Sequence, residues 1–196
     1  MTVPSPLPAD KAELRKAMRE RRRAYAASLT PETRAALEQQ LADALEPLLF
    51  KASIVAAYFP MKEEISALPA LDRARAMGKT AALPAFADRD SRMTFRAGDP
   101  TDPGPWGILQ PEIAAPTVSP DLVLIPLIAI DGSGNRVGMG KGHYDRALPG
   151  LRQAGATLVG IGWDFQMVDE PLTPDPWDVP LDGFASPAGY QEFFHA

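Results

Sequence analysis

Four short apolar runs, residues 53–59, 80–83, 121–126 and 157–163, alternate with segments of helical periodicity, and that alternation restricts the chain to layered α/β folds. Residues 11–25 place Leu14, Met18 and Tyr25 near one helical face, with Arg15, Arg19, Arg22 and Arg23 elsewhere around the wheel. A second helix opens with Thr30 as cap, Pro31 in the first position and Glu32 in the first turn. Leu37, Leu41, Leu45 and Leu48 form its buried stripe, and Pro47 is expected to limit its end. Ser66 is the expected cap of a third helix built on Leu68, Leu71, Ala74 and Met77, stopped by Gly78. Residues 93–96 suit a short strand, and residues 98–120, rich in Pro and Gly, a long irregular connection. Residues 144–155 read as a short helical region interrupted by Pro149, and residues 164–180 as a proline-rich loop. At 196 residues and 45% hydrophobic content the chain suits one domain spanning 1–196, with residues 1–9 expected to be flexible.

Charge narrows the partners. Residues 10–23 carry seven Lys or Arg against three acids, so the totals of 20 and 25 leave 13 cations against 22 acids elsewhere. An acidic body repels a nucleic-acid backbone, so no nucleic-acid partner is expected, and a local site for a small anion is favoured. No run of roughly 18 apolar residues marks a membrane span, and the first ten residues lack the regions of a signal peptide. With no cysteine there is no disulfide framework or thiolate site. The expectation is a cytoplasmic monomer without a membrane partner.

The chemistry concentrates in residues 131–145, DGSGNRVGMGKGHYD, directly after an apolar run. Glycines at 138, 140 and 142 remove the Cβ atoms that would keep a ligand from the amides. Lys141 adds a point charge, Arg136 a planar fork of donors, and Asp145 a hard oxygen suited to magnesium. Strand, glycine loop, helix is the order found at phosphate sites. It is not a Walker A loop, because Gly140-Lys141 is followed by Gly142 and His143 rather than by Ser or Thr. Residues 131–135 are equally compatible with plain turn chemistry. Glu64, the glycine loop and the 164–178 loop all follow strands, so an α/β sheet can bring them together beyond its carboxyl edge.

Lys11-x-x-x-Arg15, Phe59-Pro60-Met61-Lys62-Glu63-Glu64-Ile65, Trp106-Gly107-Ile108 and Gly138-x-Gly140-Lys141-Gly142-x-Tyr144-Asp145 occur in this order, and together they resemble the 5-formyltetrahydrofolate cyclo-ligase family over residues 11–186. The resemblance implies a single-domain three-layer α/β/α sandwich like that of the sugar-phosphate isomerase and CoA-transferase group. It also implies conversion of 5-formyltetrahydrofolate and ATP to 5,10-methenyltetrahydrofolate, ADP and phosphate, with Mg2+ required. Carried over by position, it implies ATP contacts from Lys11, Arg15, Arg136, Gly138, Gly140, Lys141, Gly142, His143 and Tyr144, with Arg136, Lys141 and Tyr144 closest to the chemistry. Phe59, Met61, Glu64, Trp106, Met139 and Tyr144 would contact the folate, Glu64 through the donor edge of its pterin. Asp145 and Asp178 would hold the metal, and Asp178-x-x-x-Asp182 resembles the acidic pair near the family's C-terminus. Met139 stands where the family often has a basic residue, His143 where it often has an aromatic one, and Ser186 where Thr is common. A phosphotransferase for another small substrate and a silent folate or nucleotide-binding module are the alternatives.

Overall fold

The computed structural model describes residue 8 and residues 10–194; the flexibility expected of residues 1–9 and the tail position of His195 lie almost wholly outside them. The chain forms α1 (Lys11–Ser28), α2 (Pro31–Lys51), β1 (Ile54–Ala56), α3 (Leu68–Ala76), β2 (Thr80–Ala85) and β3 (Thr94–Ala97). Within the connection come β4 (Asp102–Pro103), β5 (Leu109–Gln110) and β6 (Thr117–Val118), followed by β7 (Leu122–Pro126), β8 (Ala129–Asp131) and β9 (Arg136–Val137). The C-terminal third holds α4 (His143–Gln153), β10 (Thr157–Ile161), a 3-10 turn (Asp164–Gln166), β11 (Met167–Val168), β12 (Gly183–Ser186) and β13 (Gly189–Glu192).

Eight strands form the main sheet in the order β13-β12-β10-β7-β1-β2-β3-β6. The five inner strands are parallel, β13 and β3 run antiparallel to them, and edge strand β6 pairs antiparallel with β3. Inner strands buried on both faces read as continuous apolar runs rather than as alternation, which explains their visibility in the sequence. One face packs Leu41, Leu45 and Leu49 of α2 and Leu71 of α3 on Val55, Leu124 and Val159. The other packs Leu148 and Leu151 of α4 on Val123, Ile125 and Leu158. This is the expected three-layer α/β/α arrangement. From the centre the chain winds outward through α3 to β2 and, on the opposite face, through α4 to β10, so the winding reverses between β1 and β7. The carboxyl ends of those two strands therefore border the crevice where α/β sheets bind ligands. Among the described residues no helix is long and apolar enough to cross a membrane.

Several local expectations need correction. Neither Pro47 nor Pro149 ends its helix. Both are exposed, so the carbonyl each leaves without an intrahelical donor can turn to water. The cap position of α3 is Ala67, one residue later than expected, although Ser66 Oγ still accepts from the Leu68 amide at 3.2 Å. The first strand ends at Ala56 with one more bond from Ala57 N to Ala82 O at 3.1 Å, after which Tyr58 and Phe59 reach the crevice. Within the 98–120 connection the β4–β5 hairpin and edge strand β6 give order where an irregular path was expected.

Residues 131–135 are a turn, as one of the two readings held. Buried Asp131 accepts from the amides of Ser133 and Asn135, each at 2.9 Å, and from Leu172 N at 2.9 Å. Gly134 has φ +81°, and a Cβ there would stand 2.4 Å from the Leu181 carbonyl oxygen. Gly134→Ala is expected to cost about 2 kcal/mol or more, because the torsion and the overlap act together on packed backbone. Chemical denaturation of the variant checks this.

Candidate active site

A cleft of about 720 Å³ opens where β1 and β7 end, and its walls come from α1, the loop after β1, the β4–β5 hairpin and residues 136–145. The β8–β9 hairpin carries Arg136 and the glycine segment beyond β7, and α1 packs on it through Leu14, Met18, Val137 and Ile128. From that position α1 grips the segment. Arg15 Nε donates to Gly138 O at 2.9 Å, and Arg19 Nη2 to Met139 O at 3.0 Å. A planar trans peptide points its N–H opposite to its carbonyl, so the amides of Met139 and Gly140 face away from the two arginines. Among the described residues the amides of Met139, Gly140 and Lys141 have no protein acceptor. Gly140 at φ +86° and Gly142 at φ +69° take torsions that side chains rarely adopt, and Gly142 occupies the N-cap of α4 with no side chain to satisfy the first helical amides. Lys141 stands exposed at the lip of the cleft. Free amides, a helix N-terminus and a cation make an anion cradle.

Beside the cradle the cleft is apolar and aromatic, and His143, the first residue of α4, borders both parts. Phe86, Trp106 and His143 form a three-ring cluster in which each pair of centroids lies 4.8 Å apart. The hairpin bearing Trp106 is fastened by buried Gln110, which accepts from Phe86 N and donates to Phe86 O, both at 3.0 Å. Burial, then Arg146 and Lys141, push the His143 pKa below its ordinary value, so the ring is neutral at physiological pH. Arg146 Nη2 lies 3.0 Å from His143 Nδ1. The neutral ring meets Phe86 edge-on and Trp106 at a tilt, so it serves as part of the wall.

Glu64 lies at the floor, 6% exposed, where its Oε2 accepts from Met61 N at 2.9 Å and its Oε1 faces Arg22 Nη1 at 3.5 Å. Burial raises its pKa above the ordinary 4.5, with the Met61 amide and then Arg22 opposing. The Tyr144 hydroxyl is buried without a partner, and burial together with the nearby Glu64 charge keeps the phenol protonated. The Nε atoms of Arg19, Arg22 and Arg136 are likewise buried and unpaired among the described residues. Buried polar groups are normally satisfied, so four such donors around one cleft give it unused hydrogen-bonding capacity.

The sequence matches the 5-formyltetrahydrofolate cyclo-ligase family over residues 8–187. The chain belongs to that family. It is similar to the 5-formyltetrahydrofolate cyclo-ligase of Escherichia coli (strain K12), with 30% identity covering 90% of this chain and 100% of that protein. The Mycoplasma genitalium cyclo-ligase is 31% identical over 88% of this chain and 95% of its own length. Among solved structures, the Aquifex aeolicus 5,10-methenyltetrahydrofolate synthetase superposes with a TM-score of 0.77 at 28% identity, covering 95% of this chain and 94% of that one. The Mycoplasma pneumoniae synthetase gives 0.67 at 26%, covering 91% and 99%. The chain is accordingly an enzyme of the cyclo-ligase type.

Most residues singled out for this cyclo-ligase fold meet in the cleft: Phe59, Met61, Glu64 and Trp106 on one side, and Arg136, Gly138 and Met139 through Asp145 on the other. Three do not line it. Arg15 acts on the loop from behind. Lys11 Nζ pairs with Asp175 at 2.6 Å and Asp178 at 3.1 Å, and Asp178 also accepts from Asp175 N at 2.8 Å. Although burial alone would lower the Lys11 pKa, the two carboxylates raise it, so the ammonium persists throughout the physiological range. Asp145 is ion-paired with Arg136. Among the described residues no group of three or more His, Asp or Glu is placed to hold a metal, and Asp145 and Asp178 are not gathered into one. A single carboxylate at the cradle still fits magnesium, which commonly takes one or two carboxylates with phosphate oxygens and water. Asp182 accepts from Leu158 N at 2.7 Å and pairs with Arg152, ties between β12, β10 and α4.

Arg19, Arg22, Phe86 and Gln110 were not singled out from the sequence. For Arg22 the signal was present: with Leu14, Met18 and Tyr25 it completes a stripe at i, i+4, i+8 and i+11. Gln110→Ala leaves two backbone groups of Phe86 unpaired and is expected to cost about 1–3 kcal/mol. Hydrogen exchange should then accelerate selectively in residues 102–110.

Proposed function

We propose that the chain closes 5-formyltetrahydrofolate to 5,10-methenyltetrahydrofolate in an ATP- and magnesium-dependent reaction that releases ADP and phosphate, as a cytoplasmic monomer. The observation that carries this reading is the continuity of one cleft from a donor-rich phosphate cradle, through a buried unpartnered phenol, to a buried carboxylate beside aromatic walls. Such a cleft suits a ligand pair in which one member is polyanionic and the other a flat heterocycle with a donor edge.

A formamide oxygen leaves poorly. In the proposed reaction it attacks the γ-phosphorus of ATP, the bridging P–O bond breaks and ADP departs. Nitrogen-10 then attacks the activated carbon, loses its proton, and the C–O bond breaks to release phosphate as the ring closes. Positioning and charge neutralisation supply most of the catalysis in phosphoryl transfer. Lys141, the loop amides and Arg136 neutralise phosphate oxygens. Arg136 and Asp145 satisfy each other in the free site, so a phosphate that takes the guanidinium leaves the carboxylate to magnesium, which would add neutralising charge. Asp178 joins the metal only if it releases Lys11, Lys11 reaches the nucleotide only after that release, and Arg15 acts on the phosphates through the Gly138 carbonyl it holds. Tyr144 donates its hydroxyl proton in a hydrogen bond to the transferring oxygen. Glu64 accepts from the pterin edge, while Phe59, Met61, Met139 and Trp106 bound the rings.

The test mixes protein, magnesium, ATP and 5-formyltetrahydrofolate and follows the methenyl chromophore. ATP-dependent growth of absorbance is expected; a flat trace from folded protein that phosphorylates a non-folate acceptor would replace this reading with the phosphotransferase one. Lys141→Ala should lower kcat/KM for ATP about 10²-fold or more, the scale of losing a preorganised charged donor. Glu64→Gln should raise the folate KM about tenfold with the ATP KM nearly unchanged, as expected when a charged acceptor is lost. The carboxylate is the accepting form and its pKa is raised, so the wild-type folate KM should climb as pH falls through a point above 4.5. Gln does not titrate, and its profile should be flat there.

A further inference from the structure

Arg22 is 2% exposed on the apolar stripe of α1, yet its contacts are sparse. Nη1 lies 3.5 Å from Glu64 Oε1, Nη2 lies 3.8 Å from Met139 Sδ, and Nε has no partner among the described residues. A guanidinium carries five N–H donors, and an optimised charge-assisted bond is near 2.8 Å. A buried cation so lightly bonded is a poor stability device, and an apolar side chain would complete the stripe at lower cost. The charge therefore serves the cleft that Arg22 lines.

Its effect falls on Glu64. Around that carboxylate stand Tyr58 after β1, Tyr144 from α4, Glu63 on the same loop, and Glu38 and Arg34 from α2. Arg34 spends its donors on Glu38, the Lys62 carbonyl and the backbone oxygen of Glu64, not on the Glu64 carboxylate. Arg23 pairs with Glu63 at 3.8 Å near the surface. Burial and Glu63 favour the neutral acid, and Arg22 is the cation that opposes them. We infer that Arg22 is a positioning residue for substrate recognition, whose guanidinium holds the Glu64 carboxylate ionised and aimed into the cleft so that it can accept from the donor edge of a heterocycle. The substrate half of this inference rests on the folate reading above. The contact with Met139 further ties Glu64 to the loop whose carbonyls Arg15 and Arg19 hold, so one helix face registers both ends of the cleft.

The experiment compares wild type with Arg22→Met and Arg22→Lys. Carbon-13 NMR of glutamate carboxyls, assigned with Glu64→Gln, reads the Glu64 midpoint in the free protein, and steady-state kinetics give the folate and ATP KM values across pH. In Arg22→Met the Glu64 midpoint is expected to rise by about one unit or more, tenfold in the ionisation constant. The folate KM should begin to climb at a pH about one unit or more higher than in wild type and return to the wild-type value above the shifted midpoint, with the ATP KM within about twofold. Arg22→Lys should restore the midpoint in part, and Arg22→Met should add no pH-dependent loss to Glu64→Gln. An unmoved midpoint in folded Arg22→Met, or an equal, pH-independent loss of both ligands, would overturn the inference. If that variant does not fold, Arg22→Gln carries the same titration. A shifted midpoint in a protein whose wild type does not turn over 5-formyltetrahydrofolate would uphold the pairing and overturn its substrate half.

Discussion

The hydrogen bonds from Arg15 and Arg19 to the carbonyls of Gly138 and Met139 orient the peptide units on which the cleft is built. A glycine-rich segment has low conformational cost for leaving any one geometry, so its amides converge on a ligand only if something else holds the chain. Here the holding groups come from a helix that begins more than a hundred residues earlier and packs on the β8–β9 hairpin through Leu14 and Met18. Leu14 and Met18 set the helix against the hairpin, Arg15 and Arg19, each the next residue along, set the loop, and the loop sets the N-terminus of α4. The alternation of apolar and cationic positions on α1 thus converts ordinary core packing into the geometry of an anion cradle.

The same cleft concentrates groups that oppose stability. Glu64 and Arg22 are buried at 3.5 Å, and the Tyr144 hydroxyl and three arginine Nε atoms lack protein partners. Low dielectric strengthens each of these groups toward a ligand and makes each expensive while unpaired. The parallel core strands and the two helical layers are apolar and closely packed, and they offset this cost elsewhere in the molecule. The aromatic cluster contributes differently: Phe86, Trp106 and neutral His143 exclude water from one side of the cleft without adding charge.

The layered fold was legible because buried parallel strands and amphipathic helices leave different periods in the sequence, as residues 121–126 and 31–48 illustrate. The cradle was legible because three alternate glycines beside Lys141 have little other use. What escaped were features that depend on distant partners. Pro47 and Pro149 look like helix ends, but helix continuation is decided by whether a freed carbonyl meets solvent. Strand β6 and the β4–β5 hairpin have only two residues per strand and are stabilised by pairing and by Gln110, not by local pattern. Lys11 and Asp178 were assigned to different ligands by position, whereas in the fold they bind each other.

That last pairing bears on how the site is assembled. Lys11 joins the first turn of α1 to Asp175 and Asp178 of the proline-rich loop, so the helix that holds the glycine segment is itself tethered to the loop that carries the second acid. Two carboxylates around one ammonium leave a negative excess, which a cation can relieve and a phosphate alone cannot. In the proposed reaction a nucleotide arriving with magnesium would offer both charges at once, its phosphates competing for Lys11 and its metal for Asp178. The ion pairs Lys11–Asp178 and Arg136–Asp145 then act alike, each keeping a cation and an acid mutually satisfied until a ligand of the complementary composition separates them. On that proposal, acidic and basic groups needed for opposite halves of one ligand are stored as pairs, one at the cleft and one beyond its lining, without any of them being left unpaired.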